Sequence, residues 1–112
     1  MIFMEIPEQV NKEIEAIGGM EALICQLPEE SDIIEQSLIH KSLSSPIRLK
    51  ILNLLATQSL CVCVIQEIIK ISPSKLSYHL SILTDNNLIE SNREASWMIY
   101  NITEMGKKYL IK

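Results

Sequence analysis

Apolar residues recur at spacings of three and four along most of the chain, the period of a helix that buries one face. From Pro7 to Leu27 they fall at Val10, Ile14, Ile17 and Met20 behind a proline suited to a first turn, and Gly18 and Gly19 are expected to interrupt or bend that helix. Pro28 starts afresh: PEESDIIEQSLIHKSL sets acids in the first turn, where they complement the helix dipole, ahead of an apolar stripe of Ile33, Ile34, Leu38 and Ile39. Ser45 before Pro46 is a cap followed by a first-turn proline, and Ile47, Ile51, Leu54 and Leu55 carry a third helix to about Ala56 and Thr57. Val62, Ile65, Ile68 and Ile69 predict a short helix from about Cys63 to Lys70. Ser72 and Pro73 repeat the cap-and-proline signal, and Leu76, Leu80 and Leu83 mark the buried face of the helix that follows.

The period then changes. Asn87 suits the left-handed position that ends a helix, LIES and SWMIYNIT read as two strands joined by a turn in NREA, and Trp97, Ile99 and Ile102 are their packing residues. TEMGKKYLIK suggests a C-terminal helix or helical turn. The predicted fold class is mainly α with a small β-hairpin, in the order helix, helix, helix, helix-turn-helix, hairpin, helix.

A length of 112 residues suits one domain. With 47% hydrophobic, 21% charged and only 4% aromatic residues, the chain reads as globular, with aliphatic packing. No apolar run approaches the ~18 residues that span a bilayer, and MIFMEIPEQV carries acid where a signal peptide needs positive charge, so a cytoplasmic protein without a membrane partner is expected. Charge divides by position: residues 1–40 hold nine acids and one lysine, residues 41–112 nine bases and five acids. Only the second part suits a polyanion.

Of the three cysteines, Cys61 and Cys63 stand one residue apart in SLCVCVIQEI. In a reducing compartment such thiols serve metals or redox chemistry, or fill a core as small hydrophobes. Side chains at i and i+2 of a regular helix diverge, so these two can share one ion only if the helix starts late or its first turn distorts. Distortion would pass strain to the helix behind it. Thiolates are soft donors, and trigonal coordination needs a third, for which Cys25 is the remaining cysteine; its other reading is a buried residue between Ile24 and Leu27. Under oxidation a ring closed by Cys61 and Cys63 is expected to be strained, which favours a bond to Cys25 or to another subunit. Two histidines, His40 and His79, are too few for a zinc site without cysteine help.

The ordered set SSPIRLKILNLL, LCVC, ISPSKLSYHLSIL and NNLIESNREASWMIYNIT resembles, over roughly residues 37–105, the ArsR/SmtB (arsenic-repressor) family of winged helix-turn-helix transcription regulators. LCVC is similar to the family's thiolate motif E-L-C-V-C-D-L, although Ser59 and Val64 replace the flanking acids. The resemblance implies a homodimeric repressor that reads an inverted repeat in double-stranded DNA, with dimerisation helices at both ends of the chain. Residues 1–40 would then be an acidic helical extension forming part of the dimer interface, together with Tyr109, Leu110 and Ile111, and residues 41–112 the DNA-binding domain. No resident cofactor is expected. The implied inducer is arsenite, antimonite or a soft divalent metal such as cadmium, lead or zinc, held by Cys61, Cys63 and Cys25.

In a helix-turn-helix the second helix enters the major groove, which nominates Ser74, Lys75, Ser77 and Tyr78. His79 is a packing or phosphate-contact residue, and Arg93, at the expected wing tip, either reaches DNA or pairs with Glu94 in solvent. A thiol redox sensor using the same cysteines remains open. So does a small thiol oxidoreductase or metal carrier, but no C-x-x-C, general base or Gly-rich loop supports an enzyme.

Overall fold

Two proline-started helices and a two-stranded wing frame the core, and their ends follow from local chemistry. The computed structural model describes residues 5–112; the first four residues of MIFMEIPEQV lie outside them. Its elements are α1 (Glu8–Ile17), α2 (Met20–Cys25), α3 (Glu30–Ser42), α4 (Pro46–Leu55), β1 (Leu60–Cys61), α5 (Val62–Ile69), α6 (Pro73–Asp85), β2 (Ile89–Glu94), β3 (Trp97–Ile102) and α7 (Glu104–Lys107). Chain contacts define two units, residues 1–35 and 36–112.

In the first unit the paired glycines do what their position suggests. Gly18 takes φ 116° and Gly19 φ 87°, values that side chains resist, and the N–H of Gly18 closes on Glu15 O at 3.2 Å. None of the described residues of this unit is buried. Val10, Ile17, Met20, Leu23, Ile24, Leu27, Ile33 and Ile34 all expose large apolar surface.

The second unit holds the core. Ile51, Leu52 and Leu55 of α4, Ile65 of α5, and Leu76, Leu80 and Leu83 of α6 are buried, joined by Ile39, Leu60, Leu88 and Ile89. Ser45 caps α4 by accepting from the Arg48 N–H at 3.4 Å, and Ser72 caps α6 by accepting from the Lys75 N–H at 3.3 Å, each with proline next. Between α5 and α6 the chain reverses through Lys70 at φ 58°, and the Gln66 side-chain amide donates across that turn to the Ile71 carbonyl. Asn87 stands at φ 59°, the left-handed position expected of it.

The sheet has three antiparallel strands in the order β1-β3-β2, with Leu60 opposite Tyr100 and Arg93 opposite Met98. The first strand was not expected, and the hairpin turn sits two residues later than NREA predicts. Arg93 and Glu94 are strand residues, and the chain turns at Ala95, φ 55°, and Ser96. Trp97 is 56% exposed rather than packed, while Ile99 and Ile102 are half-buried. The C-terminal helix is a single turn capped by Thr103, whose Oγ1 accepts from the Gly106 N–H at 3.0 Å. Gly106 is buried so closely against the Leu88 carbonyl oxygen that a Cβ would overlap it. Tyr109 and Leu110 pack half-buried on the core, and the Ile111 N–H donates to Asn53 Oδ1 at 3.0 Å, leaving the Ile111 side chain exposed.

Candidate nucleic-acid interface and thiol pair

Because Leu76, Leu80 and Leu83 face the core, the opposite side of α6 is presented outward. Ser74, Lys75, Ser77 and Tyr78 are all exposed there, and the helix carries no acid before Asp85. An outward helix of hydroxyls and one cation, held behind a tight turn, has the shape and donor chemistry to lie in a major groove.

His79 turns inward instead. Its Nδ1 lies 2.8 Å from Arg48 Nη1, and Arg48 Nε donates to the Ser42 carbonyl at 2.6 Å, so one guanidinium joins the end of α3 to α4 and α6. Arginine can only donate, which makes Nδ1 the acceptor and puts the imidazole proton on Nε2. Desolvation, and then the charge of Arg48, hold the His79 pKa below its ordinary value. The packing half of the reading of His79 thus has a named partner, 31 residues away in sequence. His40 stands apart from this pair, with its Nε2 3.1 Å from Gln36 Nε2 and its ring edge-on to Tyr109.

The cysteines occupy the junction of sheet and helix. Cys61 ends β1 and, at φ −76° and ψ 157°, is the extended residue before α5; Cys63 is the second residue of that helix. Their Cα atoms are 5.4 Å apart and their sulfurs are joined in a disulfide. The sequence favoured a bond to Cys25 or to another subunit over such a ring; here Cys61 and Cys63 pair with each other and Cys25 carries no bridge. The divergence of i and i+2 side chains applies only when both residues are helical, and here the helix starts one residue after Cys61. Nor does convergence distort the helix, since α5 runs continuously from Val62 to Ile69.

Cys25, the last residue of α2, is exposed and unbridged. Within residues 36–112, no group of three or more His, Cys, Asp and Glu side chains suited to an ion occurs among the described residues. The donor set of this unit is therefore two sulfurs. They fit a soft ion or trivalent metalloid as a pair, and a third bond must come from outside the unit or from solvent.

Cys61 and Cys63 border a groove of about 490 Å³ whose other walls are Val62, Gln66 before and Pro73 after the helix turn, and Arg93, Ser96, Trp97 and Met98 of the wing. The thiol pair, the start of α6 and the wing thus share one depression. Arg93 forms no ion pair among the described residues, and Glu94, beside it on an extended strand, projects to the other face. Sequence reasoning missed Arg48, whose partners Ser42 and His79 lie on other elements, Gln66, whose partner Ile71 lies in the turn that follows α5, and the outward Trp97; only Arg48 carried a signal, its place two residues beyond the Ser45-Pro46 cap.

Among the described residues no helix is long and apolar enough to cross a membrane. A family model described as bacterial regulatory protein, arsR family, matches residues 45–91, the span from the α4 cap through α6 into the wing. An uncharacterised helix-turn-helix transcriptional regulator of Methanocaldococcus jannaschii is 37% identical over 75 residues, covering 66% of this chain and 84% of the relative. An arsenical resistance operon repressor of Staphylococcus xylosus is 36% identical over 76 residues, covering 68% of this chain and 73% of that protein. Among solved structures, HlyU from Vibrio cholerae superposes with a TM-score of 0.65 at 26% identity, over 71% of this chain and 87% of that one. Relatives and fold alike are those of transcriptional regulators rather than enzymes, and the helix-turn-helix, wing and sequence agree: the chain belongs to the ArsR family of bacterial regulatory proteins, with a winged helix-turn-helix fold.

Proposed function

We propose that the protein is a homodimeric repressor that holds an inverted-repeat operator while the Cys61 and Cys63 thiols are free and releases it when they bind a trivalent arsenical or a soft divalent metal. The observation that carries this reading is the shared groove: the two convergent sulfurs adjoin both Pro73, the first residue of α6, and the wing residues Arg93 and Trp97. A ligand on the sulfurs would therefore alter the surroundings of both DNA-facing elements at once. Only a ligand with different affinities for the two conformations shifts such an equilibrium, so thiol engagement must favour the form that binds DNA weakly. Ser74, Lys75, Ser77 and Tyr78 would meet base edges and phosphates, and Arg93 would reach the backbone or minor groove from β2.

The apolar residues exposed on α1, α2 and the start of α3 support dimerisation through residues 1–40, because so much uncovered aliphatic surface is costly in water. Cys25 belongs to that segment and is the natural third thiolate. Residues 41–112 form the DNA-binding domain in this reading.

A second reading rests on the Cys61–Cys63 bond itself. Disulfide formation in place, with two electrons passing to an oxidant, would make the same groove a redox switch. Titration of the reduced chain with arsenite and cadmium, followed by sulfur-to-metal charge-transfer absorption, separates the two. One equivalent bound per pair, abolished in Cys61→Ser/Cys63→Ser, is the result expected for metal(loid) sensing. No absorption change, with DNA release only under oxidant, would transfer the function to the disulfide.

A further inference from the structure

We propose that a cleft lined by Lys41, Arg48 and Tyr78, on the side of α6 turned toward the end of α3, seats a backbone phosphate of the bound DNA. The cleft measures about 280 Å³ and is also lined by Leu38, Ser42, Ile82 and Asn86. It gathers two cations and a phenol from three separate elements, α3, α4 and α6.

Arg48 is half-buried, yet it has no carboxylate partner among the described residues, where the ion pairs are Lys12 with Glu8 and Lys107 with Glu104. Two of its N–H groups are used, on Ser42 O and His79 Nδ1, both neutral acceptors, so its charge is uncompensated and donors remain. A partly desolvated guanidinium without a counter-ion is unfavourable unless an anion completes it. Lys41, which is exposed, and Tyr78, 60% exposed, line the same cleft. Tyr78 lies one helical turn beyond Ser74 on the outward side of α6, so an anion in the cleft would lie beside a duplex held by that helix.

A phosphodiester suits the site: it is a single negative charge with two free oxygens, able to take a fork of arginine donors, a lysine and a phenol together. The inference rests on the DNA-binding reading above. It also supplies a cation to the stretch of α6 where Tyr78 offers only a hydroxyl.

The test is fluorescence anisotropy of the full reduced chain on its own promoter across a salt series, with ethylation interference to locate the phosphates that matter. Lys41→Ala, at an exposed position, is expected to keep the melting midpoint, to lower the slope of log K against log salt by about one, and to make one ethylation-sensitive phosphate insensitive. Lys41→Arg should restore both. An unchanged slope and an unchanged ethylation pattern in Lys41→Ala would overturn the proposal while leaving DNA binding intact. Failure of the unsubstituted chain to bind its promoter at low salt would overturn the DNA-binding reading and this one with it. Displacement of DNA by inorganic phosphate at matched ionic strength, seen in the unsubstituted chain and absent in Lys41→Ala, would reassign the cleft to free phosphate.

Discussion

Replacing Ser72 tests whether the start of α6 is held by its cap and whether that turn meets DNA. The Ser72 hydroxyl accepts from the Lys75 N–H at 3.3 Å, and the first turn it closes carries Ser74 and Lys75. Loss of a serine cap costs about 0.5–2 kcal/mol; a bond at the long end of the range, on an exposed turn, places Ser72→Ala in the lower half, about 0.5–1 kcal/mol. For a folding unit of this size that lowers the melting midpoint by roughly 2–8 °C. If DNA binding requires the closed turn, affinity falls by at most about fivefold, the same free energy expressed as an equilibrium. Ser72→Asp separates the two effects. An aspartate caps as well as serine and suits the helix dipole, so the melt should return to the unsubstituted value. Its negative charge at the start of α6 should nonetheless weaken promoter binding beyond Ser72→Ala, most strongly at low salt. Thermal unfolding by circular dichroism and anisotropy on the promoter measure the two quantities. If Ser72→Asp bound DNA as tightly as the unsubstituted chain, the start of α6 would not face the duplex.

Gly106→Ala should destabilise by about 1–3 kcal/mol or fail to fold, since the added methyl overlaps the Leu88 carbonyl oxygen and comes to 2.8 Å from Ile102 Cγ1; denaturant titration measures it. Ala95→Gly should raise the melting midpoint, because alanine at φ 55° carries about 1–2 kcal/mol of strain that glycine lacks, and no change would mean that the turn takes another conformation in solution. His79, with its pKa lowered in the fold, stays neutral while the unfolded chain protonates, so stability should fall as pH drops from 6.5 towards the lowered value and be flat above. His79→Gln, which can still accept from Arg48, should remove that dependence; an equal slope in both proteins would assign it to another group.

The helices were readable from sequence because local signals agreed with packing: Ser45-Pro46 and Ser72-Pro73 mark both starts, and Leu76, Leu80 and Leu83 prove to be the buried face of α6. The hairpin was readable in outline only. Its turn falls on Ala95 and Ser96, and alanine at a positive φ carries no turn signal, so NREA with its asparagine drew the prediction two residues early. The two-residue strand Leu60–Cys61 has no period of its own and exists because Tyr100 and Ile99 pair with it. That strand also governs the cysteines: Cys61 is extended rather than helical, so the divergence of i and i+2 side chains on a regular helix, which set the condition for sharing one ion, does not apply to the pair. Arg48 and His79 were both visible as residues, and their partnership was not, since it is made by tertiary packing alone.

The central claim is that the thiol pair controls DNA binding, and a promoter titration addresses it most directly. Anisotropy of the fully reduced chain on its own promoter would be recorded alone, then with arsenite, with cadmium and with a mild oxidant, and repeated for Cys61→Ser/Cys63→Ser. The account predicts tight binding by the reduced chain, release by arsenite or cadmium, and a substituted protein that stays bound. Tight binding by both proteins, indifferent to all three additions, would contradict it and leave the two cysteines as packing residues of the β1–α5 junction.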